Sequence, residues 1–187
     1  MKPKILDAAL RVFMRYGVGR TRMGDIAKEA GVSRQTLYKN FQSKDDVLAG
    51  TIRHFSDIAL ADIQKDWATT KTLAQMLDVY FEHAIISSFA MISASPDARD
   101  MIGGYNESGK HEIERVNAHK IKTLEHAFKH QCTNGFNANP NAAKVADFVH
   151  TASIGLRDTA RDEAHLREML EILKLGVLKI VDPGRGD

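Results

Sequence analysis

From Ile5 to Val181 the apolar residues of this chain recur every three or four positions, and no stretch alternates apolar and polar residues as a strand would. That spacing lays side chains along one stripe of a 3.6-residue helix. The chain is therefore restricted to amphipathic helices packed stripe to stripe, and the expected fold class is all-α with about nine helices.

Local signals divide the pattern. Ile5, Ala8, Ala9, Val12, Phe13 and Tyr16 form the first stripe, and Gly17 ends that helix. Thr21 is expected to cap a short helix through Ala30, which buries Ile26, Ala27 and Ala30 and stops at Gly31. Ser33 caps a third helix with Leu37 and Phe41 on one face, and Ser43 a long fourth carrying Val47, Leu48, Ile52, Phe55 and Ala59. A helix is expected from about Thr72 to Ile92. A short element begins at Ser95-Pro96 and ends at Gly103-Gly104, and a polar-faced helix follows from about Glu107 to His130. Asn134-Gly135 and Asn137 to Pro140 read as a loop. One helix restarts at Asn139-Pro140, and a last one holds Leu166 to Val181 before Pro183-Gly184.

A chain of 187 residues, 43% hydrophobic and 27% charged, can bury a core without cross-links. The lone Cys132 permits no internal disulfide, which fits a reducing cytoplasm. No signal peptide is recognisable, and the longest apolar run, Ala84 to Ile92, falls short of the ~20 residues of a membrane span. Cytoplasmic location and no membrane partner are the expectations. The net charge of +2 is unevenly spread. Residues 1–50 carry ten Lys and Arg against five Asp and Glu, a net of +5, and the remainder nets −3. A basic head on an acidic body suits a polyanion partner for the head, but charge alone does not separate this from chance scatter.

The most informative stretch is Thr21 to Lys44. Two short helices joined by Ala30-Gly31-Val32-Ser33 make a helix-turn-helix. Gly31 tolerates the left-handed backbone that reverses the chain, Val32 plugs the angle, and Ser33 caps the second helix with its N-terminus free to face a phosphate. With Leu37 and Phe41 inward, Arg34, Gln35, Thr36, Tyr38, Lys39 and Asn40 stay outside. All six side chains can hydrogen-bond, as a helix in a DNA major groove requires.

Thr21, Asp25-Ile26-Ala27, Ala30-Gly31-Val32-Ser33, Thr36-Leu37-Tyr38, Phe41 and Ser43-Lys44, preceded by Phe13 to Gly17, closely resemble the N-terminal signature of the TetR family of regulators. The resemblance is specific over residues 3–50 and architectural beyond. It implies a three-helix DNA-binding domain over residues 1–46 and a helical ligand-sensing and dimerisation domain over 47–187. It also implies a homodimer that binds a palindromic double-stranded operator, most often as a repressor released by a small-molecule effector. Ser33, Thr36, Tyr38, Asn40 and Lys44 become the expected phosphate anchors and Arg34, Gln35 and Lys39 the base readers, with Thr21 joining the DNA-binding set. Two residues depart from the pattern. Gly24 sits inside the second helix at a cost of ~1 kcal/mol relative to Ala, and Asn40 stands where many members have histidine.

The body has no comparably sharp motif. Its last two helices read as a dimer face, with Val149, Ser153, Gly155 and Leu156 on one and Leu170, Leu173 and Val177 on the other. The middle helices are expected to enclose the effector. Trp67, Phe81, His83, Phe89, Met101, Tyr105 and His119 are the ligand-binding candidates, and Ile86 and Met91 lie beside them. Most of these residues are expected to be ordinary core. His126 with His130, Asp147 with His150 and Asp162 with His165 have ligand-like spacing, which raises the alternative of a helical-bundle metal oxidoreductase. Their polar, Lys-rich surroundings argue against it, so no metal and no cofactor are expected. A membrane-surface role is disfavoured by the polar outward positions. No nucleophile elbow, phosphate loop or triad is visible, and no enzyme is expected.

Overall fold

The computed structural model describes residues 1–95, 105–131 and 141–181. Among these, every regular element is helical: α1 (Lys2–Arg20), α2 (Met23–Ala30), α3 (Arg34–Asn40), α4 (Lys44–Trp67), α5 (Leu73–Tyr80), a π turn (Phe81–Ile86), α6 (Ser87–Ala94), α7 (Glu107–Gln131), α8 (Ala142–Thr159) and α9 (Glu163–Val181). The all-helical expectation, with a helix-turn-helix at the N-terminus, is met. The element expected between Pro96 and Gly104, the loop through Pro140, and Pro183-Gly184 lie outside the described residues.

The chain forms two compact units, Met1–Ile58 with Met91–Val116, and Ala59–Ala90 with Asn117–Asp187. The boundaries fall within α4, α6 and α7. In the first unit Ile5, Ala9, Phe13, Ile26, Leu37, Val47 and Leu48 share one apolar cluster and are wholly or almost wholly buried. Full burial of side chains of this kind is worth roughly 1.5–3 kcal/mol each, so this cluster holds α1 to α4 together. Glu112 on α7 is buried and ion-paired: its carboxylate accepts from Arg53 on α4 at 2.8 and 3.0 Å and from Arg115. The two guanidiniums outweigh the desolvation of the carboxyl and hold it below its ordinary range. The second unit is built on Leu77, Tyr80, Ile85, Leu124, Phe128, Val149 and Leu166.

The caps follow short-range chemistry. Gly17 adopts φ 74°, ψ 157°, a conformation only glycine takes readily, and breaks α1 where the sequence places its end. Thr72 and Ser43 accept the N3 backbone N–H groups of α5 and α4, while Gln75 and Asp46 return the bond to the cap. The expected Thr21 cap shifts by one residue. The Thr21 hydroxyl donates to the Gly17 carbonyl at 2.7 Å, and Asp25 instead secures the start of α2 by accepting the Arg22 N–H at 2.9 Å. The long helix expected from Thr72 is one continuous run to Ala94, interrupted by the π turn.

Candidate nucleic-acid interface and residues of the helical body

The turn between α2 and α3 closes with two bonds of a Schellman motif. The Gly31 N–H donates to Lys28 O at 3.1 Å and the Val32 N–H to Ala27 O at 3.0 Å, with Gly31 left-handed at φ 62°. Ser33 then starts α3, its Oγ accepting the Thr36 N–H at 3.0 Å. Leu37, fully buried, pins α3 from beneath. The exposed side of α3 is thus set by three local constraints: a glycine turn, a serine cap and one apolar anchor.

Arg34, Gln35, Tyr38 and Lys39 are exposed on this helix, and among the described residues their side chains have no hydrogen-bond or ion-pair partner. Tyr38 is 52% exposed, a large amphipathic side chain left open. The other expected contact residues are partly committed inside the protein. Thr36 Oγ1 lies 2.9 Å from Ser33 Oγ, and Asn40 Nδ2 donates to Thr36 O at 2.8 Å. Lys44 donates to the carbonyls of Val18 and Gly19 at 2.8 and 3.2 Å and lies 5.9 Å over the Tyr105 ring. Its ammonium therefore serves the end of α1. Thr21 is 2% exposed with its hydroxyl already used. The oddly placed Gly24 has a local reason: a Cβ there would come 2.9 Å from Arg34 Nη2, so glycine gives that guanidinium room across α2.

The body's expected ligand residues are dispersed. Phe81 and Ile86 are buried and Phe89 half-buried in the apolar cluster of the second unit. Trp67 Nε1 donates to Met76 O at 2.9 Å, and His83 Nε2 pairs with Asp66 at 2.8 Å. His119 is exposed. Met91 packs on the apolar cluster of the first unit. Tyr105 belongs to that unit too, its hydroxyl 3.0 Å from where a Gly19 Cβ would stand. Met101 lies outside the described residues. Of the histidine pairs, His126 and His130 stack edge to face at 4.3 Å on exposed turns of α7, and Asp162 accepts the His165 N–H at 2.8 Å as a cap. His150, raised in the sequence only through its spacing from Asp147, is buried against Tyr80.

The expected dimer residues divide by face. Val149, Ser153, Leu170 and Val177 are buried inside the unit, whereas Leu156 and Leu173 are half-buried and Gly155 is exposed. The apolar residues left in solvent on α8 and α9 are Phe148 at 52%, Ile172 at 62%, Leu175 at 55% and Ile180 at 49%. Phe148 stands two helical turns before Gly155, and Leu175 adjoins Gly176. A Cβ added at either glycine meets nothing within 4 Å.

The chain thus combines a helix-turn-helix, whose second helix exposes four hydrogen-bonding side chains without partners among the described residues, with a second all-helical unit. Residues 5–51 match the family model of bacterial regulatory proteins, tetR family. Over 45 residues the chain is 49% identical to the HTH-type transcriptional regulator AcrR of Shigella flexneri, covering 24% of this chain and 21% of that protein. It is 22% identical over 123 residues to IcaR of Staphylococcus epidermidis, a biofilm-operon negative transcriptional regulator, covering 63% of each chain. It is 33% identical over 84 residues to the HTH-type transcriptional regulator RutR of Escherichia coli, covering 43% of this chain and 40% of that one. The matched stretches thus span less than two thirds of these relatives. The fold extends further. A putative TetR-family regulator from Rhodococcus sp. superposes with TM-score 0.74 at 19% identity over 96% of this chain and 97% of that one. FadR of Bacillus subtilis, solved with stearoyl-CoA, does so with TM-score 0.65 at 18% identity over 94% and 99%. Residues 5–51 are thus matched to the tetR-family DNA-binding head, and the chain as a whole shares its fold with solved transcriptional regulators.

Proposed function

We propose that the protein is a repressor that binds a palindromic operator as a homodimer and leaves it when a small molecule occupies the body. The observation that carries this reading is the row of exposed, unpartnered side chains on α3. Gln35 and Lys39 lie one turn apart and project from the same side, suited to base edges, with Arg34 at the helix start. Tyr38 on the flank suits a phosphate. DNA contact is assigned to residues 1–46 and sensing and dimerisation to 47–187, at work in the cytoplasm where the chromosome is.

The sign of regulation is supported by IcaR, which is named as a negative regulator. Control by a small molecule is supported by the FadR structure, which holds stearoyl-CoA. Dimerisation is supported by Phe148, Ile172 and Leu175, apolar side chains that a second copy would cover. In the bound state the two α3 helices would enter successive major grooves about 34–36 Å apart. An effector acts only through its differential affinity for this state and another. Selection of bound duplex from a random library tests the reading. An inverted repeat with half-sites about ten base pairs apart is expected, and no enriched sequence at low salt, with or without added cell metabolites, would contradict it.

A further inference from the structure

We propose that the second unit contains a recognition site for the carboxylate of a small acidic molecule with an apolar body, built from His150, Lys120 and Arg157. The inference rests on the effector reading above and names the chemistry that this effector carries.

His150 is 2% exposed on α8, and its Nδ1 lies 2.6 Å from the hydroxyl of Tyr80, itself fully buried. Burial raises the Tyr80 phenol far above its ordinary range, so its O–H stays protonated, and His150 Nδ1 is the one acceptor this O–H has among the described residues. Nδ1 must then accept, and the ring proton sits on Nε2. Burial first, then repulsion from Lys120 and Arg157, pulls His150 down to about 4, which keeps the ring neutral. Nε2 is a buried donor with no partner among the described residues. Such groups are uncommon in folded proteins and costly to leave unpaired.

Two cations act electrostatically on His150. Lys120 on α7 has no hydrogen-bond or ion-pair partner among the described residues, and burial together with Arg157 pulls its ammonium down to about 8. Arg157 follows His150 by two turns of α8, with its side chain 12% exposed. Its Nη1 lies 3.5 Å from Ser88 Oγ, and its Nε donates at 2.8 Å to Asp158, whose side chain is 52% exposed. Three basic groups thus sense one another, answered by one mostly solvated carboxylate. Arg157 has Asp158 as its counter-ion, whereas half-buried Lys120 and the buried Nε2–H of His150 have no acceptor among the described residues, and an anion would supply one to both. A metal ion would meet an N–H and two cations, and is excluded by charge. Tyr80 belongs to an apolar cluster that also takes in Phe81, Phe89, Ile121, Leu124 and Leu156. That setting suits a monoanionic carboxylate on a hydrocarbon or aromatic body better than a phosphate, which would demand more donors. Tyr80 also borders the π turn at Phe81–Ile86, a local irregularity common at functional sites.

The test titrates the full chain with straight-chain carboxylates from acetate to decanoate, their primary amides and inorganic phosphate. The readouts are the melting temperature and the His150 side-chain resonances. Affinity should rise with chain length, and acids should exceed their amides by at least about tenfold. The Nε2–H resonance should move with acid, and Lys120→Met should erase the acid preference. Equal binding of acid and amide, no binding by any acid, or tighter binding of phosphate overturns the proposal. So does an unmoved Nε2–H resonance, the mark of an ordered water only; this wild-type reading decides even if Lys120→Met fails to fold. Operator binding by the ligand-free protein is measured alongside. Its failure with the acid preference intact would remove the repressor reading and leave the site standing, and the reverse result would remove the site alone.

Discussion

Replacing Gly155 by leucine should act in opposite directions on the single chain and on the dimer. A Cβ at Gly155 meets nothing within 4 Å in the single chain, and the residue lies inside α8 with helical backbone. A leucine side chain therefore starts into open space from an exposed position and gains roughly 0.5–1 kcal/mol of helix propensity over glycine. The isolated chain should melt no lower than wild type. In a two-fold dimer formed through α8 and α9, the same leucine enters the interface from both copies. Overpacking costs about 1–3 kcal/mol per site, so two copies lose about 2–6 kcal/mol, or roughly thirty-fold to twenty-thousand-fold in dissociation constant. Sedimentation velocity across a micromolar dilution series reads the dimer, and thermal melting of the dilute chain reads the monomer. An unaltered dimer with unaltered operator affinity would remove Gly155 from the interface. A lowered monomer melting temperature would contradict the open space seen at this position.

Other perturbations separate the remaining roles. Ile172→Glu, at a position 62% exposed, should leave the single chain folded and weaken the dimer at least about tenfold through loss of apolar burial; Leu170→Ala, which empties a buried site, should instead destabilise the fold by about 2–5 kcal/mol in denaturant titrations. Gly24→Ala should favour α2 by up to ~1 kcal/mol while displacing the Arg34 guanidinium, so thermal stability rises or holds and operator affinity falls; a variant with unchanged affinity would detach Arg34 from DNA. Glu112→Gln should cost roughly 1–3 kcal/mol at neutral pH. Because the folded carboxyl is held low, its contribution is present above the unfolded value and lost as pH falls through the folded one. The stability gap between wild type and Glu112→Gln should therefore close in acid, and a gap that persists below pH ~3 would point to packing instead.

Much of the head was legible because its signals are local. Gly17 and Gly31 occupy the positive-φ positions that only glycine takes readily, and Ser33, Ser43 and Thr72 act on donors within three residues. Thr21 escaped the same logic because its hydroxyl is taken by a carbonyl four residues earlier. Lys44 reaches back 26 residues to Val18, a partner that no window along the sequence contains. Of the residues expected at the dimer face, Val149, Ser153, Leu170 and Val177 are buried inside the unit, and α9 is apolar on more than one side. Periodicity finds both stripes without telling which one the core takes. Leu166, Leu170, Val177 and Val181 turn inward, leaving Ile172, Leu175 and Ile180 outside. Tyr105, expected at the ligand, lies against Gly19 once the chain is folded, a neighbour 86 positions away in the sequence. His150 was visible only as one end of an Asp-x-x-His spacing. The Tyr80 hydroxyl that makes it informative is 70 residues away.

The central claim is that α3 reads DNA, with Gln35 and Lys39 on bases and Tyr38 on the backbone. It is tested most directly by titrating a selected operator and its single-base variants with wild type, Gln35→Ala, Lys39→Ala and Tyr38→Phe at several salt concentrations. Gln35→Ala and Lys39→Ala should cost about 1–3 kcal/mol on the best site and relax preference at particular bases. Tyr38→Phe should weaken all sequences alike and leave the salt slope nearly unchanged, because no charge is lost. If Tyr38→Phe reshuffles base preference while the other two leave it intact, α3 does not face DNA in this orientation.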